Sequence, residues 1–203
     1  MNDNDSSKIE EDFRELFSQS AGDDKSLAAL RLPFDKSHYL YIAGYEEAVN
    51  TLVDKLTQHG GDNGSIYPII FLLRHTIELY LKDNIENAYN YLGSSGVKHF
   101  SKLWHTHDLR ILSNEMENAL TQMDINIRQE TSWKSIKELL YKWEKADPRG
   151  MFFRYNRRTN GDPWDVSYTL SLQKIFPQAQ EAINYLCGIR EELASKQNNN
   201  KYI

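Results

Sequence analysis

The stretch YPIIFLLRHTIELYLK, residues 67–82, decides the fold class of this chain. Hydrophobic residues occupy nearly every face of its helical period, and a helix that is apolar all round belongs at the centre of a bundle. Its charged residues are aligned: Arg74, Glu78 and Lys82 fall at i, i+4 and i+8, one line along an otherwise oily helix. Charges in such surroundings must be paired, because an unpaired buried charge costs several kcal/mol. Two readings of this line stay open. In one it is a buried ion-pair ladder completed by another helix. In the other, with His75 beside it, it is a wall of a polar pocket for a phosphate or nucleotide, and Arg74 is the anion-binding fork.

Towards the N-terminus, a helix starting after Asp35 places Tyr39, Ile42, Ala43, Ala48, Val49, Leu52, Val53 and Leu56 at spacings of three and four. A shorter helix over about Ser7–Phe17 carries Ile9, Phe13 and Leu16 on one side. Towards the C-terminus, residues 93–106 read as a loop. Two helices follow, with inward stripes Leu109, Leu112, Met116, Leu120, Met123 and Trp133, Ile136, Leu139, Leu140, Trp143. A last helix lies within Leu172–Leu193, with Pro177 either starting it or kinking it. Near residues 150–168 the period changes, and Asn160-Gly161, flanked by aromatic and β-prone residues, predicts a small β-hairpin or an ordered loop. The whole predicts an all-α helical bundle of about five to six helices. Its organisation is an acidic segment with a short helix over 1–24, one bundle domain over 25–197 and a disordered tail over 198–203.

A chain of 203 residues can bury one core without staples, and the single cysteine, Cys187, lends no support to an oxidising compartment. The polar, acidic N-terminus and the lack of any run of about eighteen apolar residues predict a soluble, cytoplasmic protein with no membrane association. A net charge of −5 argues against a general nucleic-acid binder, yet charge is unevenly placed. Residues 1–24 are strongly acidic, whereas RGMFFRYNRR, residues 149–158, carries Arg149, Arg154, Arg157 and Arg158 and no acid.

Two further clusters bear on chemistry. KHFSKLWHTHDLRIL, residues 98–112, gathers His99, His105 and His107. Three imidazoles can hold zinc, but the spacing lacks the one-turn register of strong metal motifs, so no metal or other cofactor is expected. The plainer reading is a helix entrance with Thr106 as N-cap and Asp108 in the first turn. The segment ADPRGMFFRYNRR, residues 146–158, interleaves arginines with Phe152, Phe153 and Tyr155. That is what single-stranded nucleic acid requires, and equally what an ordered loop requires if its aromatics pack and Arg154 pairs with Asp147 or Glu78. Glycine-rich phosphate loops, paired-cysteine metal patterns and nucleophile elbows are absent from the sequence.

With LLRHTIELYLK at 72–82, HDLRIL at 107–112 and ADPRGMFFRY at 146–155, the chain resembles the HEPN superfamily of α-helical bundles, over roughly Tyr67–Tyr155. The resemblance implies a bundle that commonly forms a homodimer and works in bacterial phage-defence, toxin–antitoxin or RNA-processing systems, with an antitoxin or defence-complex partner. Many members of that superfamily are metal-independent ribonucleases whose paired Arg and His, four to six residues apart, act on the ribose 2′-OH and the phosphate. This sequence departs from that pattern. Its formal match, Arg31 to His38, contains Pro33 and precedes the helix that starts after Asp35.

The expectation is therefore RNA or nucleotide recognition, with a metal-independent ribonuclease as its enzymatic form. His107 would then be the acid or base and Arg154 its phosphate-binding partner. Arg74, His75, Glu78, Lys82, Asp147, Tyr155, Arg157 and Arg158 would hold the substrate. The competing class is a catalytically inactive interaction module within a larger complex. A metal-dependent hydrolase using His99, His105 and His107 is the third.

Overall fold

The computed structural model describes residues 38–59, 64–93, 103–155, 157–158, 160–164 and 170–200. The expected Ser7–Phe17 helix, the Asp35 cap, Arg31 and His99 lie outside them. Five α-helices are described: α1 (His38–His59), α2 (Ile66–Leu92), α3 (Leu109–Gln122), α4 (Thr131–Ala146) and α5 (Leu172–Asn200). A 3₁₀ turn, Pro148–Gly150, follows α4. The all-α bundle is thus the observed architecture, and no described helix is long and apolar enough to cross a membrane.

Helix α2 is the axis, about 40 Å long at 1.5 Å per residue, and α1, α3, α5 and the 3₁₀ turn all pack on it. Helix α4 lies against α3 and α5. Every residue of α2 from Thr76 to Ile85 is buried, which is what an apolar surface on all faces demands. Pro68 falls in its first turn, where a missing N–H leaves no helical hydrogen bond unmade. The same buried apolar core includes Ile42 and Val49 of α1, Leu112 and Met116 of α3, Trp133 and Leu140 of α4, and Ile183 and Leu186 of α5.

Polar pairs fix how these helices sit. Asn84 donates to the Leu186 carbonyl at 2.9 Å and Arg190 Nε meets Asp83 Oδ2 at 2.9 Å, tying α2 to α5. Tyr80 donates to Glu46 Oε2 at 3.1 Å, tying α2 to α1. Glu117 of α3 accepts from Trp133 Nε1 and Lys137 Nζ of α4, both at 2.8 Å, and from Arg128 Nε at 2.7 Å.

Three local features refine the sequence reading. The cap of α3 is Asp108, not Thr106: its backbone is extended, and its carboxylate accepts from the amides of Arg110 at 2.9 Å and Ile111 at 3.3 Å. Pro177 lies inside α5, beyond the first turn, and the helix continues to Asn200. Between α4 and α5 the described residues form an ordered loop with one antiparallel bridge, Arg157 to Pro163, and no strand. Gly161 closes its turn at φ 89°, accepting that positive angle as the Asn-Gly pair implied.

Glu117 serves three donors, so Glu117→Ala should strand a buried indole N–H and cost about 2 kcal/mol in urea unfolding. Lys142→Ala, at the exposed Glu138–Lys142 pair on α4, should leave the midpoint unchanged.

Candidate functional site

Arg74, Glu78 and Lys82 are only 3, 2 and 4 % exposed, and the line predicted along α2 closes on itself and on three neighbouring elements. Arg74 Nη1 donates to Glu78 Oε2 at 3.1 Å. Its Nη2 donates to Glu144 Oε2 at 2.9 Å and to the His107 carbonyl at 2.7 Å. Lys82 Nζ donates to Glu78 Oε1 and to the Trp104 carbonyl, both at 2.9 Å. Glu144 of α4 also accepts from the Leu109 amide at 3.1 Å and the Arg149 amide at 2.8 Å. One guanidinium thereby joins α2, the entrance to α3, the end of α4 and the 3₁₀ turn.

That turn is shaped to fit over Arg74. Arg149 and Gly150 both take left-handed backbone angles, φ 59° and 69°. A Cβ on residue 150 would stand 3.0 Å from Arg74 Nη1 and 3.3 Å from Cζ, so only glycine lets the backbone approach the guanidinium this closely. Asp147, fully buried, accepts from the Phe152 amide at 2.7 Å and sets the start of the next segment. Burial pushes its carboxyl up from the usual range, against the Phe152 amide and the Arg74 charge. For Glu78 burial acts in the same direction, but the hydrogen bonds and charges of Lys82 and His107 outweigh it and hold the carboxyl below the ordinary range.

His107 is the outward end of this network. Its Nδ1 lies 2.8 Å from Glu78 Oε1, its side chain is 47 % exposed, and its Nε2 has no hydrogen-bond partner among the described residues. An ionised Glu78 can only accept, so Nδ1 carries the proton, and in the neutral ring Nε2 is left as the acceptor. Ring and carbonyl are both pinned, the first by Glu78 and the second by Arg74.

The remaining predicted residues divide by exposure. Arg154 is exposed and pairs with neither Asp147 nor Glu78: its guanidinium lies over the rings of Phe71 and Tyr155, with Cζ 5.6 and 5.1 Å from their centroids. Arg157 donates to the Gly161 carbonyl at 3.0 Å, and Arg158 lies over Trp164 at 5.4 Å. Tyr155 is half exposed. His75 is half-buried, stacked on Phe71 and edge-on to Tyr45. Burial first, then the charges of Lys82, Arg154 and Arg74, lower its pKa against the pull of Glu78. His105 is exposed. Among the described residues no group of three or more His, Cys, Asp or Glu side chains is placed to hold a metal ion.

Sequence reasoning missed Glu144. It follows Trp143 and stands four residues after Leu140, on the buried stripe of α4, and a carboxylate at a core position of an amphipathic helix is the signal that it has a cation to meet. No family model, curated protein or solved structure matches this chain.

Two outcomes follow from the network. Arg74→Met leaves Glu78 and Glu144 with one cation fewer and should cost about 3–5 kcal/mol in chemical unfolding. Because the Glu78 pKa is lowered in the fold, its stabilisation is present above the unfolded carboxylate value and is lost as pH falls through the folded value. Thermal unfolding across the acid range should show that loss in the wild type and a flatter acid limb in Glu78→Gln. Asp147 contributes with the opposite sign.

Proposed function

We propose that this helical protein is an RNA-binding member of the HEPN group, working as a metal-independent endoribonuclease with His107 as general acid–base. The single observation that supports the reading is the orientation of His107. A carboxylate buried beneath the ring accepts from Nδ1, and the other ring nitrogen, on a half-exposed side chain, has no partner among the described residues. This is how a histidine is held to move a proton to and from a substrate hydroxyl.

In this reading the inner layer positions and the outer layer binds. Arg74, Lys82, Glu144 and Asp147 lie inside and hold the backbone on which His107 and Arg154 are displayed. Arg154, Arg157 and Arg158 supply positive charge for phosphate, and Tyr155 supplies a ring face. His107 Nε2 takes the proton of the ribose 2′-OH, the 2′ oxygen attacks the adjacent phosphorus, and the 5′ oxygen of the next nucleotide leaves, taking a proton from water. The products are a 2′,3′-cyclic phosphate and a 5′-hydroxyl end. A homodimer and a partner protein of a defence or toxin–antitoxin system belong to the same proposal.

A second reading, a non-enzymatic interaction module, draws on the charge pairing of the inner network. Arg74, Glu78, Lys82 and Glu144 satisfy one another, so the polar line serves as an internal brace whether or not a substrate exists.

Incubation of the protein with single-stranded RNA in EDTA separates the two. The nuclease reading expects cleavage to 2′,3′-cyclic ends, a loss of about 100-fold or more for His107→Ala, a loss for Arg154→Ala, and no cut at a 2′-deoxy position. Intact RNA with wild-type protein, or equal cleavage by His107→Ala, overturns it.

A further inference from the structure

A connected set of rings runs over the outer side of α1 and α2 and meets Arg154. Tyr41 and Tyr45 contact edge to face at 5.0 Å, with their hydroxyls 3.2 Å apart. Tyr45 meets His75 at 4.7 Å, and His75 stacks on Phe71 at 5.5 Å and 10°. Arg154 lies over Phe71 and over Tyr155, so the sequence of contacts passes from α1 across α2 to the loop after α4. None of these side chains belongs to the buried core: Tyr41 is 53 % and Tyr155 49 % exposed, and Tyr45, Phe71 and His75 are half-buried. Of this set, only His75 and Tyr155 figured among the substrate-holding residues expected from the sequence.

We infer that Tyr41, Tyr45 and His75, with Phe71 backing His75, form a stacking tract for the bases of single-stranded RNA, leading to the phosphate contact at Arg154. The inference rests on the RNA-binding reading above and adds the path the strand takes and the reason it must be single-stranded. Bases inside a duplex keep their faces stacked on one another, whereas an unpaired strand can lay them on protein rings. The tract contributes rings, hydroxyls and an imidazole, and its cation lies over two rings with no ion pair to a carboxylate among the described residues. That combination favours a partner with flat faces and an anionic backbone over a protein surface. His75, with its pKa lowered, stays neutral at pH 7 and offers both a donor and an acceptor to a base edge.

The test is fluorescence anisotropy of the full chain with a labelled, uncleavable 2′-O-methyl RNA of about ten nucleotides, alongside a duplex of the same sequence. Tyr41→Ala and Phe71→Leu should each weaken binding by about fivefold or more, Tyr41→Phe should bind as wild type, and the duplex should bind less well than the single strand. Unchanged thermal unfolding of Tyr41→Ala excludes a folding artefact, since that ring is exposed. Wild-type affinity in both Tyr41→Ala and Phe71→Leu overturns the tract even if the protein cleaves RNA. Binding through the tract with no cleavage supports it and overturns only the nuclease. A sedimentation shift to a smaller species in Tyr41→Ala, with RNA affinity unchanged, assigns the face to contact between copies of the chain and also overturns it.

Discussion

Arg74 lies inside the bundle with carboxylates from two helices at 3.1 and 2.9 Å from its guanidinium, and the rest of the structure is arranged around that fact. A guanidinium cannot shed its proton, so burial leaves it no route to neutrality except pairing. Glu78 and Glu144 provide the pairing, and each is then obliged to satisfy its remaining lone pairs. Glu78 does so with Lys82 and His107, and Glu144 with the amides of Leu109 and Arg149. Each obligation reaches into a different element. The link from α2 to the end of α4, the entrance to α3 and the left-handed turn at Arg149-Gly150 all meet at the pairing of this one buried cation.

The same network separates the inside of the candidate site from its outside. Ion pairs as buried as Arg74–Glu78 gain less than their Coulomb attraction suggests, because both partners lose hydration, and a well-packed apolar replacement is often as stable. What such a network supplies is geometry. Here the geometry ends in two pinned points, the ring and the carbonyl of His107, and in a loop start anchored by Asp147. From that anchor the chain carries Arg154 out over Phe71, one turn before His75 on α2. His107 and Arg154 lie on different segments, and both are held against α2, the first through Glu78 and the second over Phe71.

How much of this was readable in the sequence depended on whether a residue's role was local. Helix α2 was legible because its apolar residues recur on every face, and Arg74, Glu78 and Lys82 were legible as a line because helical spacing alone places them there. Glu144 was marked only by its place on the buried stripe of α4, and its partner, 70 positions away in the chain, was not. Thr106 and Asp108 are both good caps; the choice fell to Asp108 because Leu109 gives its amide to Glu144, fixing where the helix starts. The Asn160-Gly161 turn was visible, and among the described residues the pairing beside it is the single Arg157–Pro163 bridge, while Phe152 packs edge-on to Phe153 and Trp164. The asparagine-rich end of α5 has low helix propensity, yet the helix extends to Asn200 and Gln197 donates to the Asn87 carbonyl at 3.0 Å.

The claim on which the functional reading depends is that Glu78 holds His107 with its Nε2 turned towards a bound strand. Nitrogen-15 spectra of the histidine rings test it directly, recorded with and without uncleavable single-stranded RNA. The account predicts a protonated Nδ1 on His107 that loses its hydrogen-bond signature in Glu78→Gln, and an Nε2 resonance that moves when RNA is added. A His107 ring protonated on Nε2 alone, or one whose resonances ignore both the Glu78 substitution and the RNA, contradicts it.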